Sequence, residues 1–317
     1  MGRETIERYF RAGAERDFDE LAMLRHPEWT AEWPQSGERV PSHEADRRIH
    51  EQYEGYPAHE LRWAATGEER WAALPLLPVR VSGAGDVWMG EALLTYPDGP
   101  QFAAAILELR DGLVWRETEY WAAPFDPPAW RAHLTEAIPA PDRARVVRGA
   151  SPDEERARRS SLERFYASVA AAPTPAEQRA AYLAGLRELF AEDAVQELPQ
   201  SGELVRGISN ITALVEGHPD FPGGEITRIT GAGDLFAVEG RLVYDQGVFF
   251  EVIFMQFRGD RVCRSTEYYG APFEAPAWRA GLVERMASAP GGTVSPSGSS
   301  TVAGGSGDVA EGVPRTA

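Results

Sequence analysis

The stretch RETEYWAAPFDPPAWR at residues 116–131 returns as RSTEYYGAPFEAPAWR at residues 264–279. A second repeat precedes it in the same order, because EWPQSGERV at residues 32–40 matches ELPQSGELV at residues 197–205. Similar segments that recur in the same order indicate repeated structural units, and they decide the architecture before any single helix or strand is assigned. The chain of 317 residues is therefore predicted to be a tandem duplication of one domain.

The repeats divide the chain into two domains and two connecting or terminal segments. Domain 1 is predicted to span residues 1–136, and domain 2 is predicted to span residues 159–286. Residues 137–158 are rich in proline, alanine and charge and are predicted to form a linker. The tail, residues 287–317, consists mostly of glycine, serine, proline and threonine. It is predicted to be disordered, because such a segment buries too little apolar surface to fold.

The amino-acid composition limits the kinds of molecule that the protein can bind and the cellular compartment in which we expect it. A net charge of −17 argues against nucleic acid and against an anionic membrane surface, because both need basic protein surface. The start of the chain lacks an apolar signal core and no stretch is apolar enough to span a bilayer, so we expect a soluble cytoplasmic protein. The single cysteine, Cys263, excludes an intrachain disulfide. The histidines show no metal-binding spacing, so neither a metal nor a cofactor is expected.

Each half shows the same order of predicted elements, with helices first and strands after them. Helices are predicted over residues 4–24 and 42–54 in the first half, and over residues 160–190, with a break at Pro173–Pro175, and 208–216 in the second. In the second half the predicted strands are 225–230, 234–244, 247–257 and 261–269. Short links with glycine indicate antiparallel hairpins.

The strand from Val248 to Phe257 is apolar on both of its faces. Both faces of its sheet must therefore be covered. The helices can cover one face, and the other domain or a second chain can cover the other. This pattern predicts an α+β fold with a cavity between the helices and the sheet.

Two segments of the second half resemble the SnoaL-like branch of the nuclear transport factor 2-like superfamily. They are FAEDAV at residues 190–195 and the closing strand Val262–Tyr269, which follows the turn Arg258–Arg261. The resemblance covers both halves and implies two tandem cone-shaped domains, each with N-terminal helices packed on a curved antiparallel sheet. It leaves the activity open, because this superfamily includes isomerases, polyketide cyclases, epoxide hydrolases, dehydratases and non-enzymes.

Glu119 and its counterpart Glu267 are the first candidate catalytic residues, because they lie late in the final strand of each half. Alternation along a strand places Glu119 on one face with Trp115 and Trp121, and Glu267 on one face with Tyr269. A carboxyl group among aromatic rings in a dry site has a raised pKa and can donate a proton near neutral pH. The alternative is that each glutamate pairs with an arginine and only fixes the packing.

Glu251 is the second candidate, and it occurs in the second half alone, because Ala103 stands at the matching position. It shares a face with Phe249 and Met255, which are predicted to line the cavity together with Tyr269. A lone glutamate in an apolar strand is costly to bury unless it is paired or protonated. Glu251 and Glu267 are therefore predicted to form an acid and base pair. In the first half, the resemblance places Tyr9 near the oxyanion-binding tyrosine of the isomerases, with Trp121 and Trp115 shaping the pocket.

The sequence leaves two hypotheses open. The first is an enzyme that performs acid and base chemistry without a cofactor on a small apolar molecule, such as cyclisation, isomerisation, dehydration or epoxide opening. The second is a non-catalytic ligand-binding or assembly protein. In either case the duplication predicts an intrachain pseudo-dimer, with a homodimer of such chains as a further possibility. The repeated block Pro124–Arg131 and Pro272–Arg279 predicts an arm that packs across the sheet or onto the other domain.

Overall fold

The computed structural model describes residues 2–53, 61–64, 71–74, 80–96, 99–139 and 147–286. Within these residues the two halves repeat one order of helices and strands, which confirms two tandem α+β domains. The tail predicted to be disordered, residues 287–317, lies outside the described residues, as does part of the predicted linker.

Domain 1 begins with helices and continues with strands that follow one another closely. Its helices are α1 (Gly2–Glu15), α2 (Phe18–Leu24) and α3 (His43–Gln52). Its strands are β1 (Arg25–Trp33), β2 (Glu38–Val40), β3 (Leu61–Ala64), β4 (Trp71–Leu74), β5 (Arg80–Ala84), β6 (Val87–Tyr96), β7 (Gly99–Arg110) and β8 (Leu113–Ala122). Residues 123–139 form an extension, here called arm 1, which contains a short 3-10 turn at Ala129–Arg131 and the strand β9 (Glu136–Ala137).

Domain 2 repeats this arrangement. Its helices are α4 (Pro152–Ala170), α5 (Pro175–Leu189) and α6 (Ile208–Gly217). Its strands are β10 (Phe190–Leu198), β11 (Glu203–Arg206), β12 (Gly223–Ala232), β13 (Leu235–Tyr244), β14 (Gly247–Arg258) and β15 (Arg261–Gly270). Residues 271–286 form arm 2, with a 3-10 turn at Ala277–Arg279 and the strand β16 (Glu284–Arg285).

Side-chain caps explain where several of these helices begin. The Ser151 hydroxyl accepts a hydrogen bond from the Glu154 backbone N–H, and the Glu154 carboxylate accepts one from the Ser151 backbone N–H, so α4 starts with a capping box. Because α4 begins at Pro152, the end of the predicted linker, residues 137–158, is helical. Arg16 has a positive φ of 57° and separates α1 from α2, so residues predicted as one helix form two.

Each domain contains a mixed sheet. The hairpin strands β6, β7 and β8 pair antiparallel as predicted, and so do β12, β13, β14 and β15. The first strand differs, because β1 runs parallel to β8 and β10 runs parallel to β15. This pairing places the turn after β1 beside the end of β8. Gly37 and Gly202 hold positive φ angles of 67° and 69° in that turn, a conformation that glycine adopts without steric cost.

The two sheets pack against each other through their apolar faces. Phe102, Ile106 and Tyr120 of domain 1 form one buried cluster with Phe254 and Tyr268 of domain 2. The other domain therefore covers the second apolar face of β14, one of the two possibilities left open by the sequence. The chain is an intrachain pseudo-dimer in this respect. Gly270 marks a close approach, since a Cβ there would lie 2.3 Å from the Gln35 side chain of domain 1.

Several polar groups are buried at this interface and hydrogen-bond across it. The Tyr120 hydroxyl of domain 1 donates to Glu239 of domain 2 at 2.9 Å. The Arg228 guanidinium donates to the same carboxylate at 2.8 Å and 2.9 Å, and it also donates to the hydroxyl of Thr118 at 2.5 Å. A buried carboxylate is tolerated when it is paired and hydrogen-bonded in this way.

The same arrangement recurs with the domains exchanged. The Tyr268 hydroxyl of domain 2 donates to Glu91 of domain 1 at 2.8 Å. Arg80 donates to Glu91 through two bonds of 2.6 Å and 2.8 Å, and it forms an ion pair of 2.8 Å with Glu197 of domain 2. The duplication therefore preserves a reciprocal pair of Tyr–Glu–Arg clusters across the interface.

The arms are exchanged between the domains. Strand β9 of arm 1 pairs with β11 of domain 2, and strand β16 of arm 2 pairs with β2 of domain 1. Arg131 donates to Glu203 of domain 2, and Arg279 donates to Glu38 of domain 1. Packing of the arm onto the other domain was one of the two arrangements that the sequence predicted. The arms thus supply the arginine partners of both glutamates.

We predict that Tyr120→Phe lowers the free energy of unfolding by about 1–3 kcal/mol, because it removes a donor from the buried Glu239 carboxylate. Urea unfolding followed by circular dichroism measures this change. Tyr166→Phe is the matched control, because the Tyr166 hydroxyl is buried and has no hydrogen-bond partner in the described part of the chain. The control should unfold at or above the wild-type urea midpoint. Equal midpoints for the two variants would contradict a stabilising role for the Tyr120 bond.

Candidate functional site

Glu251 and Glu267 lie on the same face of neighbouring strands in domain 2. Glu251 of β14 is opposite Tyr269 of β15, and Ile253 is opposite Glu267, so the two glutamates are diagonal neighbours. Glu251 is 8% exposed and Glu267 is 5% exposed. Ile253 on this face belongs to the core beneath the domain 2 helices α4 and α5. The structure thus brings together the two carboxyl groups that the sequence predicted as a pair.

One hydroxyl group connects the two carboxyl groups. The Tyr269 hydroxyl donates to Glu267 Oε2 at 2.5 Å, and the Ser265 hydroxyl donates to Glu267 Oε1 at 3.1 Å. Tyr269 also lies beside Glu251, and its hydroxyl opposes the burial that raises the pKa of that carboxyl group. A tyrosine hydroxyl carries one proton. With that proton directed at Glu267, it is not available to stabilise an ionised Glu251.

The surroundings favour this distribution of protons. Burial, followed by the charge of Glu267, raises the pKa of Glu251 to about 8. Burial also raises the pKa of Glu267, but hydrogen bonds from Tyr269, Gln196 and Ser265 oppose that rise. In the part of the chain that the structure describes, no arginine forms an ion pair with either group, in contrast to Glu91, Glu239 and the other buried interface carboxylates. At neutral pH Glu251 therefore keeps its proton, and it lies beside a carboxyl group whose hydrogen bonds oppose the rise of its own pKa.

Aromatic side chains surround the pair. Tyr166 of α4 and Tyr182 of α5 lie above it, and each packs against Phe165, with ring centroids 4.6 Å and 5.1 Å away. Tyr244 of β13 packs edge-on against Phe249 at 5.7 Å. The sequence did not predict Tyr182 or Tyr244 as site residues. Tyr182 lies on a helix whose alignment between the halves is weak, and Tyr244 lies at the end of its strand.

Met255 and Phe249, the other predicted pocket residues of domain 2, lie at different depths in the domain. Met255 is fully buried in the helix-covered core, so it supports the site from within. Phe249 is partly buried near the end of β14 that carries Glu251. The structure therefore places Phe249 nearer the rim and Met255 deeper in the domain.

Domain 1 has a related carboxyl group in different surroundings. Glu119 accepts a hydrogen bond of 2.8 Å from Trp33 Nε1, and Trp33 packs edge-on against Trp121 at 5.9 Å. Burial, followed by the charge of Glu117 on the same face of β8, raises the pKa of Glu119 to about 8. Among the described residues Glu119 does not pair with an arginine, the alternative that the sequence left open, because its hydrogen-bond donor is the Trp33 indole.

A buried network of charges lies next to Glu119. The Tyr9 hydroxyl donates to Glu117 at 2.5 Å, and Arg25 donates to the Tyr9 oxygen at 3.0 Å and to Asp46 at 2.6 Å. Burial alone would raise the pKa of Asp46, but Arg25 and then His50 hold it below its usual range. The sequence predicted Tyr9 but not the arginine and aspartate, which are separated from it along the chain.

Trp115 is the predicted pocket residue that lies apart from the others. Its ring packs under two guanidinium groups, with Arg110 at 3.9 Å and Arg116 at 4.6 Å from the ring centroid. It stands near the start of β8, whereas Glu119 and Trp121 stand near the end. Its contacts are those of a surface cation–π cluster.

Two surface grooves of the described residues, with volumes of about 110 Å³ and 280 Å³, lie along the outer helices of domain 1. Neither is lined by Glu119, Glu251 or Glu267. Among the described residues there is no group of three histidine, cysteine or acidic side chains arranged to hold a metal ion. None of the helices described combines the length and apolar character needed to cross a bilayer.

Comparison with known proteins places the fold. No family model and no curated protein matches the chain. Among solved structures, it matches an NTF-2-like protein of unknown function from Burkholderia xenovorans, with 32% identity over 42% of this chain and 98% of that protein, at a TM-score of 0.38. It also matches a putative ketosteroid isomerase from Kribbella flavida, with 24% identity over 41% and 90% of the two chains and a TM-score of 0.34. A putative SnoaL-like polyketide cyclase from Jannaschia matches with 18% identity over 38% and 89%, at a TM-score of 0.30.

Each match covers nearly all of the solved protein and about two-fifths of this chain. The Burkholderia protein exceeds 30% identity over almost its whole length. The chain therefore belongs to the NTF-2-like family, as its sequence predicted.

We predict that stability falls with pH because of Glu251. Its folded pKa of about 8 lies above the usual value of about 4.3, so the folded protein keeps a proton that the unfolded chain releases between these values. This contribution to stability is fully present below about pH 4.3 and is lost as the pH rises through about 8. Glu251→Gln cannot lose the proton, so its free energy of unfolding should fall less steeply, by up to about 1.4 kcal/mol per pH unit.

Urea unfolding at several pH values between about 5 and 8 measures the two slopes. Glu192→Gln, at an exposed position of β10, is the matched control and should keep the wild-type slope. A wild-type slope in Glu251→Gln as well would show that Glu251 does not retain its proton in the folded protein.

Proposed function

We propose that domain 2 performs acid and base chemistry without a cofactor on a small, uncharged, apolar molecule. The observation that carries this proposal is the buried pair Glu251 and Glu267, joined through Tyr269 and without an arginine partner among the described residues. Two carboxyl groups with different environments can serve one as acid and the other as base. An anionic ligand is disfavoured, because the pair already contains one negative charge.

The roles follow from the hydrogen bonds. Glu251 is the acid, because its pKa of about 8 keeps its proton available at neutral pH. Glu267 is the base, because Tyr269 and Ser265 stabilise its ionised form. The Tyr269 hydroxyl links the two and can return the proton from the base to the acid after each cycle. Cyclisation, isomerisation, dehydration and epoxide opening all need such paired proton transfers.

The aromatic side chains provide the binding surface for such a molecule. Tyr166, Tyr182, Tyr244 and Phe249 present ring faces and edges around the pair, and the Tyr166 hydroxyl is a buried group without a partner in the described residues. A carbonyl or hydroxyl oxygen of the ligand would accept a hydrogen bond from it. Because α4 and α5 cover the pair, they must separate when the ligand enters.

Domain 1 has a weaker version of the same arrangement. Glu119 is its acid, but Ala103 replaces Glu251, and Arg25 and Tyr9 neutralise the neighbouring Glu117. We assign the main site to domain 2 for this reason. Glu119, with Trp121 beside it, is the secondary candidate.

A non-catalytic binding or assembly protein is the second candidate function. It is favoured by the enclosed position of the carboxyl pair and by the two grooves, which lie elsewhere. The interface clusters and arms occur in both halves, whereas the acid and base pair occurs in one. On this reading the duplication preserves assembly, and the pair binds a ligand without converting it.

The test is a thermal-shift screen against polycyclic and terpenoid-like molecules, followed by a turnover assay on each hit. A ligand at 100 times its dissociation constant stabilises the folded state by about 2.7 kcal/mol. Glu251→Gln and Glu267→Gln are each expected to lower turnover by about 100-fold or more, because each removes one proton-transfer group. Glu119→Gln is the matched variant in domain 1 and should retain turnover.

Full turnover in both domain 2 variants would refute the catalytic proposal. Hits that bind without turnover, and that are weakened by Glu267→Gln, would support the binding protein instead. Loss of activity in Glu119→Gln with none in the domain 2 variants would move the site to domain 1.

A further inference from the structure

Arm 1 of domain 1 packs against the side chains that surround the domain 2 site. The Trp130 ring packs edge-on against His218, with ring centroids 5.7 Å apart and an interplanar angle of 75°. Trp130 and Leu134 both pack on the core that contains Ile253 and Met255. A segment of one domain therefore completes the hydrophobic enclosure of the other.

A series of ring contacts continues from Trp130 to the carboxyl pair. His218 lies 6.3 Å from Tyr244, and Tyr244 lies 5.7 Å from Phe249, which is two residues from Glu251 on the same face of β14. Close packing transmits the position of one ring to the next. The position of Trp130 therefore constrains the wall of the site.

Arg131 follows Trp130 and is held rigidly. It is 8% exposed, and its guanidinium donates to Glu203 through Nε at 3.0 Å and Nη2 at 2.5 Å, and to the Ser201 hydroxyl at 3.3 Å. A two-pronged bond of this kind fixes both position and orientation. The turn that carries Glu203 is the one that also presents Gln200, whose side chain accepts a hydrogen bond from the Tyr269 backbone N–H at 2.7 Å.

We propose that arm 1 supplies two positioning residues, Trp130 and Arg131, to the Glu251 and Glu267 site, so that the site of domain 2 is built from both domains. Trp130 fixes the aromatic wall through His218. Arg131 places a buried positive charge near the pair without forming an ion pair with it. Fusion of the two domains in one chain then does more than join two sheets, because it also holds arm 1 of domain 1 against the site of domain 2.

Electrostatic effects on the neighbours agree with this geometry. The charge of Arg131 opposes the burial that raises the pKa of Glu267. Burial lowers the pKa of His218, and the charges of Arg131 and Arg179 lower it further. Both effects reach across the domain boundary.

Arm 2 offers a natural comparison in the same molecule. Arg279 donates to Glu38 at 2.5 Å, and its guanidinium lies 4.7 Å from the ring of Trp33, which donates to Glu119. Trp278 differs from Trp130, because it is 41% exposed and stacks on Tyr53. The two arms thus serve opposite domains, and substitutions in arm 2 are matched controls for those in arm 1.

The test is a carboxyl and imidazole titration by NMR on the full chain, without any ligand. Arg131→Gln should raise the pKa of Glu267 and of His218 by about half a pH unit or more, because a nearby positive charge is removed. Arg131→Lys should stay near wild type, because it keeps the charge. Arg279→Gln should leave both groups unchanged.

Glu203 loses its arginine partner in Arg131→Gln, and its unpaired negative charge would raise both pKa values further. The other titratable and polar groups near the pair are the same in all these variants. Around Glu267 they are Gln196, Ser265, Tyr269, Glu251, Tyr166 and Tyr182, and around His218 they are Arg179, Asp220 and Tyr244. If Arg131→Gln does not fold, Trp130→Leu carries the test. It uncovers His218 and should raise its pKa, whereas Trp278→Leu should not.

Unchanged titrations of Glu267 and His218 in Arg131→Gln, or of His218 in Trp130→Leu, would overturn the proposal. The role given to the arm rests on the proposed function of the carboxyl pair, but the titrations require no substrate. Absence of turnover would therefore refute the proposed function without affecting the proposal that both domains build the site. Unchanged titrations with normal turnover would refute the role of arm 1 and leave the proposed function standing.

Discussion

The packing of the two sheets against each other is the constraint on which the rest of the structure depends. β14 is apolar on both faces, so a domain alone would leave one of those faces in water. Pairing the sheets buries that face around Phe254 and Tyr268, and the reciprocal Tyr–Glu–Arg clusters satisfy the polar groups that the interface encloses. The hydrophobic contact provides most of the driving force, and the clusters fix the alignment of the two sheets.

This constraint also determines which residues face the site. Side chains alternate along a strand, so successive residues of β15 point in turn to the domain interface and to the helices. Tyr268 therefore reaches Glu91 in domain 1, while its neighbours Glu267 and Tyr269 meet each other on the opposite face. One strand therefore contributes to both the domain interface and the proposed site, and a change of its register would disrupt both.

Sequence reasoning succeeded where the periodicity was local. The repeats gave the duplication, and alternation placed Glu251 and Glu267 on one face. It failed where a partner lies far away in the chain, as Arg131 and Arg279 do for Glu203 and Glu38. Arg39 follows Glu38 directly in sequence, but strand alternation turns adjacent side chains to opposite faces. The parallel pairing of β1 with β8 was missed for the same reason, since nothing local encodes it.

The two halves differ most where the chemistry is expected. In domain 1, Arg25 offsets Glu117 and Asp46, so the buried charges near Glu119 are balanced by a cation. The matching positions in domain 2 are Phe190, Ser265 and Ile211, so neither the cation nor its two acidic neighbours has a charged counterpart there. Domain 2 has Glu251 in this environment, and no arginine forms an ion pair with it in the described part of the chain. One half therefore holds an arginine-centred charge network, whereas the other holds two neighbouring carboxyl groups, one of which accepts hydrogen bonds from Tyr269 and Ser265. This difference supports the proposal that the main site lies in domain 2.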